Sequence, residues 1–466
     1  MTGIATRIAN IRGLAKTVDI AVDRRPYSRR NGGVDAYPQF YNPKIGSIGD
    51  SLVAHGVEGA SPGTINAWAT NAGELNLALA MHPRFRHDNW PADTTAFSPS
   101  SDRYTTGANQ AISGSNAASH RAMLQNYLLP MHPNILFYRP SVNNSVGTDT
   151  GPATFAYFQE TVQMAMDAGV FCAIGTMCPW VNDPANAFNG ADNNANRAYI
   201  NAAIRAWVPT LPKSKAILVD YDIALDPTNT GWTDRSNMSD YIHLGTQGAL
   251  KCARLINQKL DLLIPARNYA LELWNGGNNK FPYPILAGNG GVTANGTGST
   301  PTGMRTQKGG TGSSTLVLST EANAETGGLT RVFTITGVGT GATAYYQLGI
   351  GTLGDFTVTG QTGQWVRSIA EIEVMGNDAL LVPQLWANGR RALYEGGWSG
   401  LIGDSQQQTY WLITDAVQVG SDTANLSIRL YPNADRALAV GGNPTMVAKV
   451  KRLGYYFISN PRTDWA

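Results

Sequence analysis

Two distant segments hold residue types suited to nucleophilic acyl transfer: Gly49-Asp50-Ser51-Leu52 and Ser239-Asp240-Tyr241-Ile242-His243-Leu244. A serine hydroxyl is barely acidic at neutral pH and needs a base, and imidazole titrates in the useful range. A carboxylate must then hold the ring in one tautomer and stabilise the imidazolium. With Asp240 three residues before His243, one short loop can deliver both groups. Ser51 directly follows residues 44–49 (KIGSIG), a strand candidate. A serine at a strand-to-helix turn lies at the carboxyl edge of a parallel sheet, where open α/β folds place their sites, and its backbone N–H can face a developing oxyanion. Each segment also has a plainer meaning. Gly-Asp-Ser is a common turn and recurs as Gly403-Asp404-Ser405 in β-type sequence without partners, where it reads as a turn. Asp240 and His243 equally fit a cap and a structural histidine ahead of a helix.

From about residue 41 to 266, short apolar runs alternate with helix-like stretches. Residues 134–139 (NILFYR), 170–175 and 215–220 (KAILVD) are strand candidates. Residues 154–168 have helical periodicity, with Gly169 placed to stop the helix, and residues 247–264 read as a closing amphipathic helix. Strands alternating with helices mean a parallel sheet wrapped by helices. The character changes after residue 266. Residues 288–312 hold nine glycines in 25 positions and read as a linker. Beyond them come short β-type runs at 331–336, 356–359, 369–374, 426–430 and 455–458, with period-2 alternation in Leu426, Ile428 and Leu430. The expected organisation is an N-terminal arm over 1–40, an α/β domain over 41–266, a Gly-rich linker over 267–312, and an all-β sandwich or jelly roll over 313–466.

The first and last segments resemble the opening and closing sequence blocks of the SGNH (GDSL-like) hydrolase family. Residues 109–120 (NQAISGSNAASH) are similar to that family's second block, and Ser141-Val142-Asn143-Asn144 stands where the third has Gly-x-Asn-Asp. The resemblance covers roughly the middle half of the chain and implies an SGNH-type three-layer sandwich with a central parallel sheet. It makes Ser51 the nucleophile, His243 the base and Asp240 its orienting carboxylate. The Ser51 and Gly114 N–H groups and the Asn143 amide would form the oxyanion hole, with no cofactor. Ser141 for glycine and Asn144 for aspartate depart from the pattern and bear on the local turn.

Other polar residues carry less. His82 and His87 (HPRFRHDNW) fit a surface loop better than a metal site, and the family needs no metal. His55 is expected to cap or line the pocket, and Asp50 to anchor a local hydrogen-bond network. Asn144, Trp180 and Trp232 are candidate substrate contacts, because flat aromatic faces suit sugar rings; core packing is an equal alternative for the tryptophans.

Bulk properties exclude several classes. A net charge of +2 with no Lys/Arg run gives no electrostatic footprint for nucleic acid. Cys172, Cys178 and Cys252 cannot make a disulfide framework, and their apolar neighbours favour buried thiols. The N-terminal residues hold no uninterrupted apolar h-region, so no secretory signal is seen, and no run of 18 apolar residues suggests a membrane span. Only 15% of residues are charged, and Gly, Asn and Thr are abundant, as in turn-rich β proteins.

Three functions fit. One is a carbohydrate O-acetyl esterase acting on bacterial surface polysaccharide, with the β domain binding polysaccharide or organising an oligomer. An esterase joined to a Gly/Thr-rich β domain without a signal looks like a bacteriophage tail spike or fibre, made in the host cytoplasm and acting outside cells. Such proteins are generally homotrimers, and the arm could meet other tail proteins. The second is a cellular esterase or lipase with an accessory domain; the polar segments 105–116 and 183–196 argue against an acyl groove and for a sugar. The third is a non-catalytic binding protein on the same scaffold.

Overall fold

The computed structural model describes residues 36–54, 69–71, 73–91, 105–112, 114–144, 149–238, 241–276, 278–309, 314–337, 345–350, 355–375, 381–388, 390–394, 408–420, 423–432 and 445–465. Four short runs of apolar, β-favouring residues make a parallel sheet: β1 (Ile45–Ile48), β2 (Ile135–Tyr138), β3 (Phe171–Gly175) and β4 (Ala216–Val219), hydrogen-bonded in that order. Nearly every residue in them is buried, as expected for strands covered on both faces. Successive side chains point to opposite faces. Ile135, Phe137 and Ile217 share a core with the helices α2 (Glu74–Met81) and α6 (Thr246–Leu260). Leu136, Tyr138 and Ile174 face α3 (Ala117–Met123), α4 (Gly151–Asp167) and α5 (Ala191–Trp207). The result is a three-layer α/β sandwich. The outer edge of β1 is covered by residues 108–112, through a parallel bridge from Ser47 to Asn109.

Local signals explain the helix bounds. α4 begins where the Thr150 side chain accepts from the Ala153 N–H, with Pro152 in its first turn. That starts it one turn earlier than the apolar periodicity does. α3 begins with a reciprocal cap, Asn116 to the Ser119 N–H and Ser119 back to the Asn116 N–H.

The C-terminal part is all-β. One antiparallel stack includes β5 (Arg305–Gly309), β8 (Tyr345–Gly349), β13 (Thr423–Pro432), β10 (Leu381–Ala387) and β11 (Arg390–Tyr394). The other includes β6 (Thr315–Asn323), β7 (Gly328–Thr336), β14 (Thr445–Ile458), β9 (Trp365–Met375) and β12 (Gln408–Ile413). Leu348, Leu385 and Ile428 of the first meet Phe333, Ile372 and Ala448 of the second in one core.

Two boundaries differ from expectation. The stretch at 267–312 is no linker: it contains α7 (Tyr269–Asn275), the strands Val292–Ala294 and Thr297–Gly298, and β5, all built into the module. Several of its described glycines serve close packing. At Gly298, φ is +101°, and an added Cβ would lie 1.9 Å from the Leu318 carbonyl oxygen. Residues 36–40 belong to the α/β part rather than to an arm; Phe40 packs edge-on against Phe171 at 5.8 Å, and its N–H donates to the Leu263 carbonyl. Residues 1–35 lie outside the described residues, as do His55 and Gly403-Asp404-Ser405.

The two parts are joined through buried contacts. The short strand Ala69–Asn71 adds in parallel to β11, and one apolar core runs from the α2/α6 face into the sandwich. At the seam Asp88 is buried between Arg367 (2.7 Å) and Arg86 (2.7 Å) and accepts from the Trp465 Nε1–H at 3.0 Å. Burial pushes the Asp88 carboxyl up, but the two guanidiniums and the hydrogen bonds outweigh that and leave it well below the usual carboxylate range. Among the described residues no helix is long and apolar enough to cross a membrane.

Candidate active site

Ser51 opens α1 (Ser51–Ala54), immediately beyond the carboxyl end of β1. His243 lies between the 3₁₀ turn Arg235–Asn237 and α6. The fold brings them together: His243 Nε2 is 2.9 Å from Ser51 Oγ, and both side chains are half-buried. That is hydrogen-bond reach for a base taking the proton of a nucleophile. Asp240 lies outside the described residues.

Around Ser51, the polar groups of three loops are tied into one network. Asp50 is buried; its carboxylate accepts from the Leu52 N–H (3.0 Å), the Ser141 hydroxyl (2.9 Å) and the Val142 N–H (2.8 Å). Asp50 is thus the expected anchor, binding the Ser51 turn to the loop after β2. The Ser115 carbonyl accepts from Asn143 Nδ2 (2.9 Å) and lies 2.8 Å from the Ser141 hydroxyl, whose single proton it shares with Asp50. One Asn143 amide proton is thereby committed, which fixes the side chain; among the described residues nothing accepts the other. Gly114 is exposed and adopts φ +75°, the left-handed region. An added Cβ there would meet nothing within 4 Å, so the backbone conformation is what calls for glycine. Among the described residues nothing accepts the N–H of Ser51 or of Gly114. Ser51, Gly114 and Asn143 therefore sit on segments pinned to one another, with donors left over for an anion.

Two of the three residues expected to touch substrate, Asn144 and Trp180, are placed differently. Asn144 is buried; its oxygen accepts from the Ala117 N–H (2.7 Å) and its nitrogen donates to Asp149 (2.6 Å). It holds the start of α3 and has no face for substrate. Trp180 is 1% exposed, packed against Phe188 and under Arg197, so its ring is core and not a sugar platform. Trp232 is half-buried against the α4/α5 core. His87 is not on a surface loop. It is 5% exposed, with Nδ1 3.2 Å from Asn76 Oδ1 and Nε2 3.3 Å from Ser47 Oγ. His82 is exposed, and among the described residues no three His, Cys, Asp or Glu side chains converge as a metal site. The three cysteines are buried free thiols.

Sequence reasoning passed over Ser115 and His120, inside the second block. Ser115 Oγ donates to the Gly49 carbonyl (2.9 Å) and lies 3.0 Å from His120 Nε2. His120 is fully buried, and its Nδ1 is 3.0 Å from the Tyr138 hydroxyl. A histidine on the inner face of a capped helix was the available signal.

Burial lowers both His87 and His120 to about 4, against an opposing charge from Asp88 and Asp50 respectively. The unfolded chain takes up these protons near pH 6.5, while the folded chain resists until about 4. Stability is therefore full above pH 6.5 and falls as pH drops from 6.5 towards 4, by about 1.4 kcal/mol per unit for each histidine. Urea midpoints measured at pH 7 and pH 5 should show that loss. His87→Asn and His120→Gln should each shallow the slope, and an unchanged slope in both would contradict the assignment.

No family model matches the chain, and no curated protein matches it. Solved structures do: an acetylxylan esterase from Geobacillus stearothermophilus is 14% identical, with TM-score 0.33, covering 47% of this chain and 94% of its own. A member of the lipolytic protein G-D-S-L family from Veillonella parvula is 11% identical (TM-score 0.33; 46% of this chain, 96% of its own). A GDSL-like lipase from Bacteroides thetaiotaomicron is 15% identical (TM-score 0.28; 33% and 74%). What this chain can do chemically is set by its own geometry: a serine hydroxyl within reach of an imidazole, beside an anchored amide.

Proposed function

We propose that this chain is a serine esterase of the SGNH (GDSL-like) class that removes O-acetyl groups from a carbohydrate. The observation that carries the proposal is the 2.9 Å approach of His243 Nε2 to Ser51 Oγ at the carboxyl end of a parallel strand. His243 takes the Ser51 proton as Oγ attacks the ester carbonyl. The Ser51 and Gly114 N–H groups and the free Asn143 amide proton stabilise the oxyanion. As the tetrahedral intermediate collapses, the imidazolium protonates the departing sugar oxygen, which leaves as a hydroxyl, and water, activated by the same histidine, releases acetate from the acyl-enzyme. Asp240 is assigned the orienting role by its place three residues before His243.

A sugar is favoured over a lipid by the polar residues 105–116 and 183–196. A bacteriophage tail spike or fibre acting on bacterial surface polysaccharide is the setting that best joins an esterase to a Gly/Thr-rich β-sandwich. In that setting the protein is a homotrimer in the virion tail, made in the host cytoplasm, and the N-terminal arm meets other tail proteins. Incubation with O-acetylated bacterial surface polysaccharides, followed by NMR, should show free acetate with chain length unchanged. Shortened chains without acetate would sink the proposal.

A further inference from the structure

We propose that His120 is a positioning residue of the oxyanion hole, fixing Ser115 and, through it, both the nucleophile turn and the Asn143 amide. The proposal rests on the esterase function above and adds a residue that the hydrolytic machinery does not name.

Ser115 is where the donor segments meet. Its hydroxyl holds the Gly49 carbonyl, two residues before Ser51, and its carbonyl holds Asn143 Nδ2 and the Ser141 hydroxyl. It directly follows Gly114. A shift of Ser115 would therefore move all three groups that face the oxyanion. The Ser115 backbone has its own anchor, an N–H to the Ile112 carbonyl at 3.2 Å, and Ile112 in turn donates to Gly49 at 3.0 Å. These bonds lie within the loop. From the core side, the hydroxyl is met by His120.

His120 is suited to that task. It is on α3, whose start is fixed by the Asn116 cap and by Asn144, and it is fully buried. Both ring nitrogens are engaged, at 3.0 Å to Ser115 and 3.0 Å to Tyr138. Tyr138 ends β2 and stacks on Phe158 of α4 at 4.6 Å. The loop is thus connected through one imidazole to the sheet and to two helices. A buried polar ring is costly unless both its nitrogens are satisfied, so an apolar residue would fill this site at lower cost if filling were all it required. Preorganised donors matter because they need no rearrangement as charge develops. Asp50, the ionisable neighbour of His120 in this network, is held by its own three donors and makes no hydrogen bond to the ring.

The test compares His120→Phe, which keeps a ring but no hydrogen bonds, with His120→Gln, which can restore them. On p-nitrophenyl acetate, His120→Phe should lower kcat about tenfold to hundredfold, within the range for a lost or misplaced oxyanion donor, with KM little changed. His120→Gln should recover most of the loss. Because part of the His120 effect runs through the Asn143 amide, His120→Phe combined with Asn143→Ala should lose clearly less than the product of the two single losses. A folded His120→Phe with wild-type kcat, or a double variant whose losses multiply, would overturn the proposal. Should His120→Phe fail to fold, Ser115→Ala removes the same link from the loop side, and wild-type kcat there would overturn it equally. An inert wild type would instead remove the esterase function itself, so the two failures are separable.

Discussion

Replacing Ser51 with alanine should lower kcat on p-nitrophenyl acetate by about 10⁶-fold, the scale for removing a serine nucleophile outright. The expectation follows from the geometry: Ser51 Oγ is the atom that His243 Nε2 meets at 2.9 Å, and a methyl group has no proton to give. Asn143→Ala should be milder, about 10²–10³-fold, because the Ser51 and Gly114 N–H groups would still face the oxyanion. The grading discriminates. A fluorophosphonate probe should label the wild type and Asn143→Ala but not Ser51→Ala. Labelling of Ser51→Ala, or hydrolysis at the wild-type rate, would move the nucleophile elsewhere. An unlabelled wild type would support a non-catalytic binding protein on this scaffold.

The second large effect is expected far from Ser51, at the seam. Asp88→Ala leaves Arg367, 6% exposed at its side chain, without its carboxylate and the Trp465 Nε1–H without an acceptor. Breaking a buried ion pair from one side costs about 3–5 kcal/mol, because the remaining charge is uncompensated. Arg86 is also at the site and would add repulsion to Arg367. Urea unfolding monitored by tryptophan fluorescence should show the lowered midpoint. Asp88→Asn should cost less, since an amide oxygen can still accept from Trp465. A loss below about 1 kcal/mol, the scale of an exposed pair, would mean that the seam is wet and open in solution.

The α/β half was legible because its strands are short apolar runs and its site motifs are local: KIGSIG leads into Ser51, and NILFYR into Asn143. The pairing of Ser51 with His243 could be read from types and order, since the chemistry requires those types. What escaped was set by contacts distant in sequence. Nine glycines at 288–312 look flexible in composition, but Gly298 is glycine because Leu318 lies against it. Trp180 and His87 carry side chains common at binding sites, and only tertiary packing shows that both are buried. Asn144, next to the anchored Asn143, looked equally available, yet its amide is consumed by Ala117 and Asp149. Asp50 could be assigned in advance because a carboxylate beside a turn serine has backbone N–H groups close by to accept from.

The seam also bears on how the protein is made. Asp88 and Trp465 are separated by 377 positions. At synthesis rates of about 5–20 residues per second, the ribosome needs roughly 20–75 s to travel between them. For most of that interval Asp88 and Arg86 have been made while Arg367 and Trp465 are still to come, and β11, the partner of Ala69–Asn71, is also late. The parallel sheet can form early, but its outer α2 face must wait for the sandwich. Burial of the α2 face is thereby tied to completion of the chain: a nascent fragment ending near residue 266 holds Ser51 and His243 yet exposes an apolar face that the finished protein covers.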